Sequence, residues 1–122
     1  SSAYAEIMES IAASSRSGQK AWAHKDYAGL RMAALQGIDA LENLSRLAQV
    51  ELITAEHRRL QSLLKKEHVV VKPTGAGGGD LAWLIPSDEQ QVDQILQRLK
   101  AANIPAWNMP ISRHGARLIT ND

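Results

Sequence analysis

The sequence feature that most constrains the fold is a glycine-rich segment that separates two short apolar runs. Four of the five residues 75–79 are glycine, and the apolar runs cover residues 69–71 and 81–85. Runs of this length, rich in valine and other large apolar residues, predict β-strands. Because so short a connection cannot make a parallel crossover, residues 69–72 and 81–85 are predicted to pair as adjacent antiparallel strands.

The loop contains more glycine than a hairpin turn requires. A tight turn needs only one or two residues with positive φ, and glycine loses more backbone freedom on folding than any other residue. The segment is therefore a simple turn, a flexible linker, or a loop whose backbone closely approaches a bulky anion such as phosphate. The strong strand sequences on both sides disfavour a linker. The excess of glycine favours exposed backbone N–H groups that can bind an anion.

Two well-known phosphate-binding loops do not match this segment. A P-loop requires Lys-Ser or Lys-Thr directly after its last glycine, and neither dipeptide follows here. The dinucleotide-binding fingerprint requires a third glycine at the position of Asp80 and a helix after it. Since residues 81–85 are predicted to form a strand, both motifs are excluded.

Helical periodicity dominates the first half of the chain. A first helix is predicted around residues 4–11, with Ser2 available as its cap. The polar run at residues 14–18 predicts a break after it. A longer helix, with a regular apolar stripe, is predicted to open at Asp26, and a third helix is predicted at residues 54–66.

The order of the elements predicts an α+β fold. After the second strand, Ser87 and Gln90 form the pattern of a capping box that begins a helix, and Asn103 with Pro105 ends it. Two more strands are predicted at residues 106–111 and 116–120. Helices followed by hairpin-linked strands are typical of α+β proteins.

We therefore expect a single domain covering residues 1–122. Residues 1–66 are predicted to form a helical N-terminal segment. Residues 67–122 are predicted to form a ferredoxin-like four-stranded antiparallel sheet, with helices packed on one face and the glycine-rich loop at residues 74–80.

Composition excludes several classes of function. A formal net charge of +1 gives no general attraction to nucleic acid or to an anionic membrane. The absence of cysteine excludes disulfides, thiolate catalysis and cysteine-ligated zinc. No apolar run approaches the about 20 residues that cross a bilayer, and the N-terminal residues lack the features of a signal peptide. The histidines are too far apart to predict a metal site. The chain is expected to be cytoplasmic, without nucleic-acid or membrane partners.

Residues 72–80 have the sequence KPTGAGGGD, which resembles the third conserved motif of the GHMP kinase superfamily. This superfamily includes galactokinase and the homoserine, mevalonate and phosphomevalonate kinases. In it, the loop joins two strands of the C-terminal lobe after a helical segment. Asp80 and the sequence HGARL at residues 114–118 resemble the phosphomevalonate kinase branch most. The resemblance implies transfer of the γ-phosphoryl group of ATP to mevalonate or phosphomevalonate, in isoprenoid precursor synthesis.

The resemblance also implies what lies outside the chain. Members of the family carry an N-terminal lobe with the loop P-x-x-x-G-L-S-S-S and the catalytic Asp or Lys, and this loop does not occur here. The chain is therefore expected to be the C-terminal lobe alone and to be inactive by itself. Its expected partners are the N-terminal kinase lobe and a small-molecule phosphoryl acceptor. ATP and Mg²⁺ would bind mostly to the N-terminal lobe, so no cofactor and no catalytic residue is expected within this chain.

The resemblance implies a substrate- and phosphate-binding region formed by the loop, the lysine before it and one later arginine. These residues are Lys72, Thr74, Gly75, Ala76, Gly77, Gly78, Gly79, Asp80 and Arg113. Lys72 either contacts a substrate phosphate or is an exposed lysine of an edge strand. Asp80 either positions a metal or the acceptor, or accepts hydrogen bonds from N–H groups of the loop. Arg113 either contacts a phosphorylated substrate or is an ordinary surface arginine.

A second class of function also remains open. The chain is alternatively a non-catalytic ferredoxin-like module that binds a small ligand or self-associates through its sheet. A lobe separated from its partner exposes apolar side chains, which we expect around Tyr4, Ile7, Ile11 and Trp107. Homo-oligomers are therefore an expected form of the chain.

Overall fold

The first half of the chain forms a hairpin of two long helices. The structure, a computed structural model, describes residues 2–75, 78, 81–109 and 118. Helix α1 covers Ser2–Ala23 and helix α2 covers Tyr27–Ala48, and the two pack against each other. The Asp26 carboxylate accepts a hydrogen bond from the Gly29 N–H at 2.9 Å, which confirms the predicted start of α2. None of the described helices is both long and apolar enough to cross a membrane.

The predicted break at residues 14–18 is wrong, because α1 continues through it. Ser14 is buried, and its hydroxyl donates to the Ile11 carbonyl oxygen at 2.8 Å. Ser14 lies against Gly37 of α2, and Gly18 lies against Ala33 of the same helix. Small side chains let two helix axes come close together. The small and polar residues at 14–18 therefore form a contact between helices rather than a turn.

A short helix and a 3₁₀ turn lead from the helical hairpin into the sheet. Helix α3 covers Ala55–Leu63, with Thr54 as its N-cap, and the 3₁₀ turn covers Lys65–Glu67. The predicted range 54–66 agrees with these elements, except that the last turn is tighter than an α-helix. The left-handed residue His68, with φ +54°, ends the turn.

The C-terminal helix α4 covers Val92–Ala101. Its end is confirmed at the left-handed residue Asn103, where the Ile104 N–H donates to the Leu99 carbonyl oxygen at 2.9 Å. Its start differs from the prediction. Asp88, and not Ser87, caps a 3₁₀ turn at Glu89–Gln91 that precedes α4. An aspartate is as good a cap as a serine, and one Asp88 oxygen accepts from two successive N–H groups of this turn.

Strands β1 (Val70–Pro73) and β2 (Ala82–Ile85) pair antiparallel, which confirms the predicted hairpin. Successive side chains of a strand point to opposite faces of the sheet. Val70 packs in an apolar cluster with residues of α2, whereas Val71 packs in a second cluster that includes Leu99 of α4. The two strands therefore lie between α2 on one face and α4 on the other.

The predicted ferredoxin-like four-stranded sheet is wrong. The part of the chain that the structure describes is mostly helical and contains one two-stranded sheet, with helices on both faces rather than on one. Residues 106–109 belong to the predicted strand 106–111, but they form no strand and are exposed. Strand propensity takes effect only where cross-strand neighbours and a buried face exist. The rest of that segment, and residues 116–120 apart from Leu118, lie outside the described residues.

Candidate functional site in the glycine-rich hairpin loop

Thr74 closes the base of the loop. Its N–H and its hydroxyl both donate to the Leu81 carbonyl oxygen, each at 3.3 Å. These bonds directly follow the last paired residues of the two strands, Pro73 and Ala82. The hydrogen-bond ladder of the sheet therefore continues one step into the loop. The Thr74 hydroxyl forms its hydrogen bond within the hairpin.

Two glycines of the loop have left-handed backbone conformations that other residues rarely adopt. The angle φ is +58° at Gly75 and +70° at Gly78. A Cβ atom at Gly75 would meet no atom of the described residues within 4 Å, so this glycine borders open space in the part of the chain that the structure describes. Gly78 instead donates its N–H to the Leu52 carbonyl oxygen at 2.6 Å, and a Cβ atom there would lie 3.4 Å from the Glu51 carbonyl oxygen. Gly78 therefore closely approaches the backbone that joins α2 to α3.

Lys72 is the charged residue of β1 beside the loop. It is half-buried, and its Cε would lie 3.7 Å from a Cβ atom at Gly37 of α2. Its Nζ donates to the Pro73 carbonyl oxygen at 3.4 Å. The aliphatic part of the side chain thus packs against the helical hairpin, as long basic side chains commonly do. The ammonium group lies near the point where β1 enters the loop.

Apolar side chains are exposed at the C-terminal end of the loop and on the strand that follows it. Trp83 lies directly opposite Lys72 in the neighbouring strand, and it is 58% exposed. Leu81, the last residue before β2, is 60% exposed. The base of the loop therefore has a basic side chain on one strand and an apolar surface on the other.

The structure brings four of the predicted site residues together at this loop, namely Lys72, Thr74, Gly75 and Gly78. The other predicted site residues lie outside the described residues: Ala76, Gly77, Gly79, Asp80 and Arg113. Among residues 2–75, 78, 81–109 and 118, no three His, Cys, Asp or Glu side chains come together in a way that could hold a metal ion. The described part of the loop can offer an anion one ammonium group and the backbone at Gly75.

His57, which the sequence analysis did not single out, contacts the C-terminal end of the loop. Its ring is 3% exposed, and Nε2 lies 3.3 Å from the Leu81 carbonyl oxygen. On the other side of the ring, Nδ1 lies 3.2 Å from the Thr54 backbone nitrogen. The sequence contains only a weak signal for this arrangement, because Thr54 and His57 have capping-box spacing with histidine in place of the usual Glu or Gln. The contact to Leu81 spans 24 residues and has no local signal.

Buried polar groups also occur at the opposite end of the two strands. Glu67, which precedes β1, is 4% exposed, and its Oε1 lies 2.8 Å from Nη2 of Arg98. The Tyr27 hydroxyl donates to the Pro86 carbonyl oxygen directly after β2. Burial raises the pKa of Tyr27, with smaller effects from the nearby charged residues. These contacts join α2 and α4 to the sheet and do not reach the glycine loop.

No family model, curated protein or solved structure matches this chain. The functional argument therefore depends on the residues and the geometry of the loop.

Proposed function

We propose that this chain is the C-terminal lobe of an ATP-dependent small-molecule kinase of the GHMP type, which phosphorylates mevalonate or phosphomevalonate. The observation that carries the proposal is the hairpin loop with the sequence KPTGAGGGD, in which Lys72 precedes the loop and the left-handed Gly75 borders open space. The order of helical segment, strand, glycine loop and strand is also the order that the resemblance implies.

In such a kinase, the γ-phosphoryl group passes from ATP to a hydroxyl or phosphate oxygen of the acceptor, and ADP leaves. This chemistry depends on positioning the reactants and on neutralising their charge. In our proposal, the Lys72 ammonium attracts an anionic group of the acceptor, and N–H groups of the loop donate further hydrogen bonds to it. ATP and Mg²⁺ are assigned to the N-terminal lobe, as the resemblance implies.

The apolar surface beside the loop supports the presence of a second lobe. Leu81 and Trp83 expose more than half of their surface on the strand opposite Lys72. Large exposed apolar groups that lie close together mark interaction surfaces. In this proposal the N-terminal lobe covers them and brings its nucleotide site to the glycine loop.

The test is ATP turnover by a kinase assembled from this chain and its N-terminal lobe. Mevalonate, phosphomevalonate, homoserine and galactose are offered separately as acceptors. We expect ADP release that depends on mevalonate or phosphomevalonate, and none from the 122-residue chain alone. Lys72→Met should lower kcat/KM for the acceptor by about tenfold or more, the effect of losing one charge-assisted hydrogen bond. Lys100→Met is the control, because Lys100 is an exposed lysine of α4.

Two outcomes contradict the proposal. The first is ADP release that neither mevalonate nor phosphomevalonate stimulates. The second is a Lys72→Met enzyme with the same kcat/KM as the wild type and the Lys100→Met control. Turnover by the 122-residue chain alone, clearly above a boiled sample, would show that the assignment to a single lobe is wrong.

A further inference from the structure

His57 links the start of α3 to the glycine loop through both nitrogens of its ring. Nδ1 lies 3.2 Å from the Thr54 backbone nitrogen and 2.9 Å from the Thr54 hydroxyl oxygen. Nε2 lies 3.3 Å from the Leu81 carbonyl oxygen. The residue is 3% exposed. A buried ring with a partner at each nitrogen is held in one orientation.

The partners of the ring determine which nitrogen carries its proton. The Thr54 N–H can only donate, so Nδ1 accepts and carries no proton. In a neutral imidazole the proton is then on Nε2. The Leu81 carbonyl oxygen can only accept, and it therefore receives the hydrogen bond from Nε2–H. The contact between His57 and the loop thus requires this one tautomer.

The Leu81 carbonyl oxygen accepts the hydrogen bonds that fix the C-terminal end of the loop. It accepts from the Thr74 N–H, from the Thr74 hydroxyl and from His57, each at 3.3 Å. Thr74 belongs to the hairpin itself, so its bonds close the loop but do not place it relative to the helices. Among the described residues, two hydrogen bonds join the loop to the helical part of the chain: His57 donates to Leu81, and the Leu52 carbonyl oxygen accepts from the Gly78 N–H at 2.6 Å.

We infer that His57 is a positioning residue for the glycine loop. It acts through Leu81 and does not contact the acceptor. By holding the C-terminal end of the loop against the start of α3, it keeps Lys72 and Gly75 in their relative places. The catalytic consequence of this inference rests on the proposed function, whereas the attachment of the loop is a property of the chain itself.

Two substitutions at His57 separate the loop contact from the helix cap. The short carboxamide in His57→Asn reaches the position of Nδ1, so it retains an acceptor for the Thr54 N–H and loses the donor to Leu81. The apolar side chain in His57→Leu offers neither an acceptor nor a donor, so this variant loses both the contact to Leu81 and the cap. The matched control is His24→Asn, because His24 is an exposed histidine of the α1–α2 turn.

The first measurement is amide hydrogen exchange in the ¹⁵N-labelled 122-residue chain without ligand. In His57→Asn, we expect the Thr74 and Gly78 amides to exchange about tenfold faster, as for the loss of one hydrogen bond, with a melting temperature close to that of the wild type. In His57→Leu, we expect the same faster exchange together with a lower melting temperature, because the cap is lost as well. His24→Asn should change neither quantity.

The second measurement is kcat/KM of the assembled kinase, below the melting temperature of each variant. We expect His57→Asn and His57→Leu each to lower kcat/KM for the acceptor about tenfold, because both variants lose the donor to Leu81. If His57 only capped α3, His57→Asn would retain the wild-type kcat/KM.

The inference is overturned if His57→Asn retains wild-type exchange at Thr74 and Gly78. It is also overturned if the ¹⁵N chemical shifts of the wild-type ring show a protonated Nδ1, a measurement that needs no variant. If exchange and tautomer are as expected and no acceptor is phosphorylated, the proposed function is wrong and the positioning of the loop by His57 stands.

Discussion

Gly37 lies where α1, α2 and β1 meet, and its replacement by alanine tests the packing that supports Lys72. A Cβ atom at Gly37 would lie 3.3 Å from the Ser14 hydroxyl oxygen, 3.7 Å from Lys72 Cε and 3.9 Å from Ser14 Cβ. The first distance is tight and the other two are ordinary contacts. The methyl group of Gly37→Ala therefore displaces one atom, the Ser14 hydroxyl oxygen.

The magnitude follows from two opposing effects. Alanine is more favourable than glycine within a helix by about 1 kcal/mol. Displacing the Ser14 hydroxyl disturbs its hydrogen bond to the Ile11 carbonyl oxygen, which costs about 0.5–1.5 kcal/mol. Gly37→Ala alone should therefore change the free energy of unfolding little. Ser14→Ala alone removes the same hydrogen bond and should cost about 0.5–1.5 kcal/mol, whereas in Gly37→Ala the bond is already disturbed and Ser14→Ala also removes the tight contact. Ser14→Ala should therefore cost about 1 kcal/mol less in the Gly37→Ala background than in the wild type.

The assay is thermal and urea unfolding of the wild type, both single variants and the double variant, followed by circular dichroism. A gain of about 1 kcal/mol raises Tm by about 3–5 °C in a chain of this size. Gly18→Ala is the matched control, because a Cβ atom there would lie at an ordinary 3.6 Å from Ala33 Cβ. This control should gain stability without a second substitution. The reasoning is refuted if Ser14→Ala changes the free energy of unfolding by the same amount in the wild type and in Gly37→Ala, since the two sites would then show no coupling.

Two further predictions concern the opposite end of the sheet. Arg98→Met leaves the buried Glu67 carboxylate without its ion-pair partner. Because Arg98 itself is about one-third exposed, we expect the free energy of unfolding to fall by about 1–3 kcal/mol, which is less than the full cost of breaking a buried pair. An unchanged urea midpoint would contradict this. Burial raises the pKa of Tyr27, so its contribution to stability is complete below the unfolded-state pKa of about 10 and is lost as pH rises through the folded-state pKa. The difference in unfolding free energy between the wild type and Tyr27→Phe should therefore shrink as pH rises above about 10, and a constant difference would refute this.

Local signals in the sequence were sufficient for the elements whose caps and neighbours are close in the chain. The hairpin of β1 and β2 follows from two short apolar runs and a loop too short for a crossover. The start of α2 at Asp26 and the end of α4 at Asn103 follow from capping chemistry. Each of these predictions depends on residues within a few positions of one another.

The errors arose where distant contacts decide the structure. Residues 14–18 resemble a break because serine and glycine are poor helix formers, but Ser14 lies against Gly37 of the neighbouring helix and Gly18 against Ala33. The strand predicted from residue 106 has suitable apolar residues, yet residues 106–109 are exposed and unpaired in the described chain. His57 was missed for the same reason, because the contact that gives it a role at the loop is with Leu81.

Gly75 and Gly78, the described glycines of the loop, have different roles. Gly78 is needed for a close approach, but the partner in that approach is the backbone of the chain itself at Glu51 and Leu52. Gly75 has a left-handed backbone, and none of the described residues would clash with a side chain there. Replacing Gly75 with another residue should therefore cost only the strain of a positive φ. Replacing Gly78 should in addition weaken the hydrogen bond that attaches the loop to Leu52. Loss of activity after substitution of Gly78 is thus evidence about the position of the loop, and Gly75 is the described glycine at which open space is available to a bound anion.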